Sequence, residues 1–419
     1  MVTIKDKMSS NPIIIVALVT ALSLLGDSML YIALPIYWET AGIESIWQVG
    51  VLLSINRFIR LPFNPLVGWM YKRISLKTGL IIAVLLGGFT TIGYGVFEGF
   101  IAWVILRAVW GIAWSFFRIG GLSVVALYSD NNKRGSSMGL YNGLYRTGSL
   151  VGMLIGGLLV PIIGLSTVSV GFGILTLLGL PLILKSNFTQ DNETSEEKGD
   201  INKSKPFIGK TGYKVSIIVS GFLIAMLYQG ILTSTLSPMI EHFYGEHISI
   251  LSVVISVTLL SGIIQAVRWA WEPFLGRTVG QWSDGSRGRL PIFIVSLIFA
   301  GVVFGMISIR LPLGIWIVIT LLVMAGATIL TTLLDTIALD TAKTANVVSF
   351  LTIYSISQDV GAALGPALSF ILIQLEAGFN FIYWGGAVTL LILAIIWSVL
   401  AKRLNTLINS HNKGFNKAY

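Results

Sequence analysis

Ten ionisable side chains fall inside apolar stretches of this chain: Asp27, Arg57, Arg60, Arg107, Arg118, Arg146, Arg268, Glu272, Asp335 and Asp359. A charge at the centre of a bilayer costs about 2.5 to 3.5 kcal/mol even on lenient insertion scales, so each implies a partner or a polar cavity. The distribution is lopsided. The first half sets Arg57, Arg60, Arg107, Arg118 and Arg146 against Asp27 alone, and the second sets Arg268 against Glu272, Asp335 and Asp359. Arg107, Gly111, Trp114 and Arg118 recur at helical spacing and share one face. With Trp110 beside them, they form a cationic, aromatic cavity wall suited to a carboxylate or phosphate on an apolar body. The same residues also read as arginines paired with carboxylates to hold helices together, and as core tryptophans.

Asp27, Arg57 and Arg107 fall at similar depth, so a salt bridge among them is sterically open. An apolar site favours a neutral carboxyl and a nearby guanidinium favours the anion; a helix movement that separates the two therefore moves a proton. Asp27 is on this basis the proton-coupling candidate, with Asp335 and Asp359 as rivals and a permanently paired, structural Asp27 as the alternative. Arg268 is a further cavity candidate, although with Glu272 four residues on it reads first as a bridge along one helix face.

These residues need a membrane around them. The chain has 419 residues, 54% hydrophobic and 11% charged, with a mean hydropathy of +0.83, a composition that excludes a soluble enzyme. There is no Cys, two of the three His sit in one loop and the third in the tail, and no phosphate-cradling glycine loop occurs, so neither a metal, a cofactor nor ATP hydrolysis is expected. The net charge of +9 reflects scarce acids rather than basic clusters, which argues against nucleic acid and for the lipid bilayer. Neither a Ser/His nor a His/Glu constellation lies in the apolar segments, so no enzyme is expected.

Spanning helices are predicted at about 12–37, 47–70, 77–97, 99–126, 136–162, 165–185, 213–240, 248–276, 289–309, 312–340, 345–373 and 378–401. The fold class is therefore an all-α polytopic membrane protein of 12 transmembrane helices, with a six-helix bundle over 1–185, a polar linker over 186–212 and a second six-helix bundle with a tail over 213–419. Of the 28 Lys and Arg, six arginines lie within the spans and only Arg310 lies in a loop on the far side, so the positive-inside rule puts both termini and the linker in the cytoplasm, at the cell membrane. A monomer is expected.

The halves repeat. Arg57, Pro62 and Phe63 of the second helix recur as Arg268, Pro273 and Phe274 of the eighth, and Gly148 and Gly152 of the fifth as Gly361 and Gly365 of the eleventh. Gly68 and Gly280 then introduce matching loops. Gly68 to Lys77 resembles the G-x-x-x-D-R-x-G-R-K loop of the major facilitator superfamily, with Lys72 in place of the Asp and Ser75 in place of the Gly; Arg73 is kept. Gly280 to Arg289 is similar, with Asp284, Arg287 and Arg289 retained. The resemblance implies a cytoplasmic gate in which the Asp latches basic groups, resting here on Asp284. Arg107 and Gly111 resemble the fourth-helix signature of the drug:proton antiporter branch, and Gly148, Gly152, Gly156 and Gly157 its fifth-helix glycines, with Met153 in place of the Pro. Such glycines also serve plain helix packing.

The resemblance implies secondary transport by alternating access, and the arginine excess makes a small amphipathic anion, exported in exchange for protons, the leading expectation. Broad multidrug efflux, proton-coupled uptake of an anionic nutrient and a transporter-like membrane sensor are the alternatives.

Overall fold

The computed structural model describes residues 12–129, 134–186, 211–245, 247–250, 253–283, 288–342 and 347–415. Its helices are α1 (Pro12–Ala33), α2 (Ile46–Phe58), α3 (Arg60–Met70), α4 (Leu76–Val96), α5 (Phe100–Tyr128), α6 (Arg134–Ile163), α7 (Leu165–Leu177) and α8 (Leu180–Lys185). They continue as α9 (Thr211–Ala225), a π-helical turn (Met226–Leu232), α10 (Thr233–Tyr244), α11 (Val257–Ser283), α12 (Arg289–Met306), α13 (Leu313–Ala342), α14 (Val347–Leu372) and α15 (Gly378–Phe415).

Among the described residues, nine helical stretches are long and apolar enough to cross a membrane. The three remaining predicted spans, 47–70, 248–276 and 345–373, correspond to helical stretches at 46–70, 257–283 and 347–372, and these hold Arg57, Arg60, Arg268, Glu272 and Asp359. The second span is broken at Ile59, where Pro62 has no N–H for the Phe58 carbonyl and its ring crowds that oxygen. Arg57 and Arg60 therefore flank a helix break.

One prediction is corrected. The eighth helix begins at Val257 rather than near residue 248, because His247–Ile250 and Val253–Ser256 pair as an antiparallel hairpin, β1 and β2, with Ile248 opposite Ile255 and Ile250 opposite Val253. This run is rich in β-branched residues, whose restricted side chains suit a strand better than a helix. At the other extreme, α15 runs on to Phe415, well past the apolar run that ends near residue 401.

The helices fall into two compact units. The first comprises the described residues of Met1–Asn202, Gly230–Ala270 and Ala362–Gln374, and the second those of Lys203–Gln229, Trp271–Gly361 and Leu375–Tyr419. In the first unit two apolar clusters are stacked along the helices: Met29, Leu34, Leu52, Trp103 and Phe370 in one, Val16, Val67, Leu80, Phe117 and Ile183 in the other. On α2, α3 and α5 the polar residues Asn56, Arg57, Arg60 and Arg107 fall between them.

The repeat read in the sequence has a packing basis. A Cβ on Gly148 would lie 2.1 Å from the Ala21 carbonyl oxygen of α1, and one on Gly361 of α14 would lie 2.1 Å from the Phe222 carbonyl oxygen of α9. Each unit thus uses one glycine to bring a helix against the backbone of its partner, an approach that no larger residue permits.

Candidate functional site

The centre of the first unit's polar layer is an ion pair. Arg107 is fully buried and Asp27 is 6% exposed, and Arg107 Nη1 donates to Asp27 Oδ1 at 2.5 Å. The guanidinium is fixed from a second side, since its Nε donates to the Leu52 carbonyl oxygen at 2.9 Å. Asn56, also fully buried, donates through Nδ2 to the same Asp27 Oδ1 at 3.2 Å. Arg57 donates through Nε to the Tyr31 hydroxyl at 3.3 Å. Burial of both charges makes each depend on the other, because either left alone keeps its desolvation cost.

From this pair an alternation of guanidinium and aromatic groups runs through the unit. Arg60 lies over both Trp110 and Trp114, 5.8 and 5.2 Å from the ring centres, and the two indoles stack 5.9 Å apart at 11°. Trp114 meets Tyr145 edge-on, and the Tyr145 hydroxyl accepts from Arg118 Nη1 at 3.4 Å. Trp110, 1% exposed, is a core aromatic, whereas Trp114 and Arg118 are half-buried. Arg146 and Arg268 both lie near the Trp269 ring, at 5.5 and 5.4 Å.

The rival carboxylates sit in the second unit. Asp335 is exposed on α13, and its Oδ1 accepts from the Tyr354 hydroxyl at 2.6 Å and from Gln358 Nε2 at 3.3 Å. Gln358 Nε2 also donates to the Tyr354 hydroxyl at 3.0 Å. Asp359 is half-buried on α14.

The loop residues behave differently in the two halves. Gly68 and Gly280 each face open space. Arg73 lies over Trp69, 4.0 Å from the ring centre, and Lys77 Nζ donates to the carbonyl oxygens of Leu184 and Ser186 at 2.6 and 3.2 Å, capping the end of α8. Arg289 instead pairs with Asp340 and donates to the Thr336 carbonyl oxygen at 3.3 Å. Asp284 and Arg287 lie outside the described residues.

The fifth-helix glycines serve two faces. Gly148, Gly152 and Gly156 meet Ala21, Leu25 and Met29 of α1, while Gly157 meets the Thr258 carbonyl oxygen of α11 and accepts a hydrogen bond from the Thr258 hydroxyl at 3.0 Å. Asn56, Tyr31, Tyr354, Gln358 and Asp340 were not singled out from the sequence. The first four are polar residues within spans, a weaker signal than a charge but a readable one.

The chain matches the model of the Major Facilitator Superfamily over residues 16–343. It is 22% identical over 373 residues to the uncharacterized MFS-type transporter YcaD of Salmonella heidelberg (strain SL476), covering 87% of this chain and 90% of that one. A shorter match, 27% over 121 residues, links it to the chromaffin granule amine transporter of Rattus norvegicus, of whose length the chain spans 23%. Among solved structures, a bacterial homolog of the human lysosomal transporter Spinster, inward-facing and unoccupied, superposes with a TM-score of 0.75 at 16% identity, covering 93% of this chain and 96% of that one. A POT family transporter in complex with 5-aminolevulinic acid also reaches 0.75, at 12% identity, over 94% and 96%. At these identities the structures speak for the fold alone.

Proposed function

Because the chain belongs to the major facilitator superfamily, matched over residues 16–343, we propose a specific task for it within that family: proton-coupled antiport that exports a small amphipathic anion from the cell. It is a multi-pass membrane transporter and not an enzyme. The observation that carries the coupling is the Asp27–Arg107 pair, buried, shared with Asn56 and set between two apolar clusters. A carboxylate held this way takes up a proton when its guanidinium moves off and releases it when the guanidinium returns, which ties protonation to helix movement. The anion preference is supported by the six span arginines that share the first unit with Asp27, the half-buried Arg118 and Arg146 among them. The loop charges support cytoplasmic termini at the cell membrane.

A second reading is export of organic cations, as in broad multidrug efflux. It draws on the exposed Asp335 and on the 121-residue match to an amine transporter. Proteoliposomes with an imposed pH gradient separate the two: labelled amphipathic carboxylates should accumulate and labelled amines should not. Arg118→Ala should weaken carboxylate uptake while leaving the melting temperature nearly unchanged; accumulation of amines alone would overturn the anion assignment.

A further inference from the structure

Two arginines from different helices meet at one indole. Arg146 of α6 lies 5.5 Å and Arg268 of α11 lies 5.4 Å from the Trp269 ring centre. The helix register explains the meeting. A Cβ on Gly157 would come within 2.6 Å of the Thr258 carbonyl oxygen, and one on Gly262 within 2.5 Å of the Met153 carbonyl oxygen, so α6 and α11 run antiparallel in close contact, four residues back along one matching four residues on along the other. Seven further residues in each direction, about two helical turns, set Arg146 opposite Trp269. Thr258 and Gly262 are buried, whereas Arg146 and Trp269 are half-buried, so burial declines from the glycine contacts towards this pair.

The charges are uneven there. The face of an indole attracts a guanidinium but carries no net charge, so it cannot neutralise two of them. Glu272, four residues after Arg268, falls on the same face of α11 and supplies one negative charge. Two cations against one anion leave a single positive charge in surplus, which one carboxylate balances and a doubly charged group exceeds. Each guanidinium is a planar fork that matches the two oxygens of a carboxylate.

We propose that Arg146 and Arg268 grip the carboxylate of the transported anion, with its apolar body against Trp269, and that Glu272 restricts the site to singly charged head groups. This rests on the anion reading and narrows it from amphipathic anions in general to monocarboxylates.

The test is equilibrium binding to the full chain in lipid nanodiscs without a pH gradient, with radiolabelled 4-methylbenzoate as the probe and terephthalate, of the same shape but with a second carboxylate, as the competitor. 4-Methylbenzoate should bind, and terephthalate should compete at least about tenfold less well. Arg146→Gln and Arg268→Gln should each weaken 4-methylbenzoate at least about tenfold, the loss of one charge-assisted bond. Arg146→Lys, which keeps the charge but not the fork, should recover only part of that. Glu272→Gln should tighten terephthalate several-fold, a gain that a glutamate serving only to brace Arg268 would not give. Failure of 4-methylbenzoate to bind, or unaltered binding in Arg146→Gln, would overturn the proposal; terephthalate competing as well as the probe, or no better in Glu272→Gln, would overturn the role of Glu272. Should Arg268→Gln fail to fold, Arg146→Gln, at a half-buried position, still decides. Carboxylate transport in the unaltered protein alongside normal binding in Arg146→Gln would remove the grip and leave the anion reading standing. Accumulation of amines alone, with 4-methylbenzoate still held through Arg146, would do the reverse.

Discussion

Asp27 and Asp335 are both carboxylates on membrane-crossing helices, yet the protein surrounds them in opposite ways. Asp27 is buried and held by a cation, Arg107, and by the Asn56 amide. Asp335 is exposed and held by two neutral donors, Tyr354 and Gln358. A buried acid that loses its charged partner meets the full desolvation penalty, whereas an exposed acid stays solvated whether or not its neutral donors remain. Under the antiport reading, the first arrangement links a proton to a conformation. The second supplies a polar foothold at a surface.

The harshest way to break this contrast is to remove the cation. Arg107→Leu leaves Asp27 buried without its partner, and breaking a buried pair costs about 3–5 kcal/mol, so the melting temperature should fall steeply. Adding Asp27→Asn to that variant should restore a large part of the loss, as expected when the penalty comes from an uncompensated charge rather than from packing. A double variant no more stable than Arg107→Leu alone would show that the guanidinium matters for its bond to the Leu52 carbonyl instead.

Asp27→Asn by itself should act on coupling more than on folding. The amide keeps size and can still bond to Asn56, but it carries no proton, so accumulation driven by a pH gradient should stop while exchange without a gradient persists. Asp335→Asn should leave gradient-driven accumulation in place and change at most the apparent substrate affinity. If Asp335→Asn uncouples and Asp27→Asn does not, the two roles are reversed; if Asp27, Asp335 and Asp359 can each be replaced with coupling intact, proton antiport is wrong.

Much of this contrast was legible in the sequence, for a physical reason. A charge in an apolar run is so costly that it announces a partner, and depth along the helices matches Asp27 with both Arg57 and Arg107, of which the structure pairs it with Arg107. Hydropathy also placed most spans to within a few residues, since membrane thickness fixes their length. What it missed carries little transfer cost or depends on tertiary packing. Asn56 and Tyr354 are polar enough to hold a carboxylate yet cheap enough to pass unnoticed in a helix. The hairpin at His247–Ser256 is as apolar as the helix expected there, and only backbone preference separates the two. Likewise, Trp110 and Trp114 share a stripe with arginine in the sequence, but the stacking of Arg60 over both indoles is a tertiary fact.

The gentlest probe is Tyr354→Phe. It removes only a hydroxyl, and the ring keeps its place against Gly221, where a Cβ would come within 2.6 Å of Tyr354 Cε2. The lost hydroxyl donates to Asp335 at 2.6 Å and accepts from Gln358 at 3.0 Å. A hydrogen bond to a charged group contributes about 1.5–3 kcal/mol when shielded, but Asp335 is exposed and Gln358 still donates to it, so the loss in stability should be nearer 1 kcal/mol. Thermal unfolding in detergent measures that shift, and pH-driven accumulation in proteoliposomes should be unaltered. A Tyr354→Phe protein that unfolds normally yet no longer accumulates substrate would mean that the hydroxyl governs proton occupancy at Asp335, and the exposed acid rather than the buried pair would then be where coupling resides.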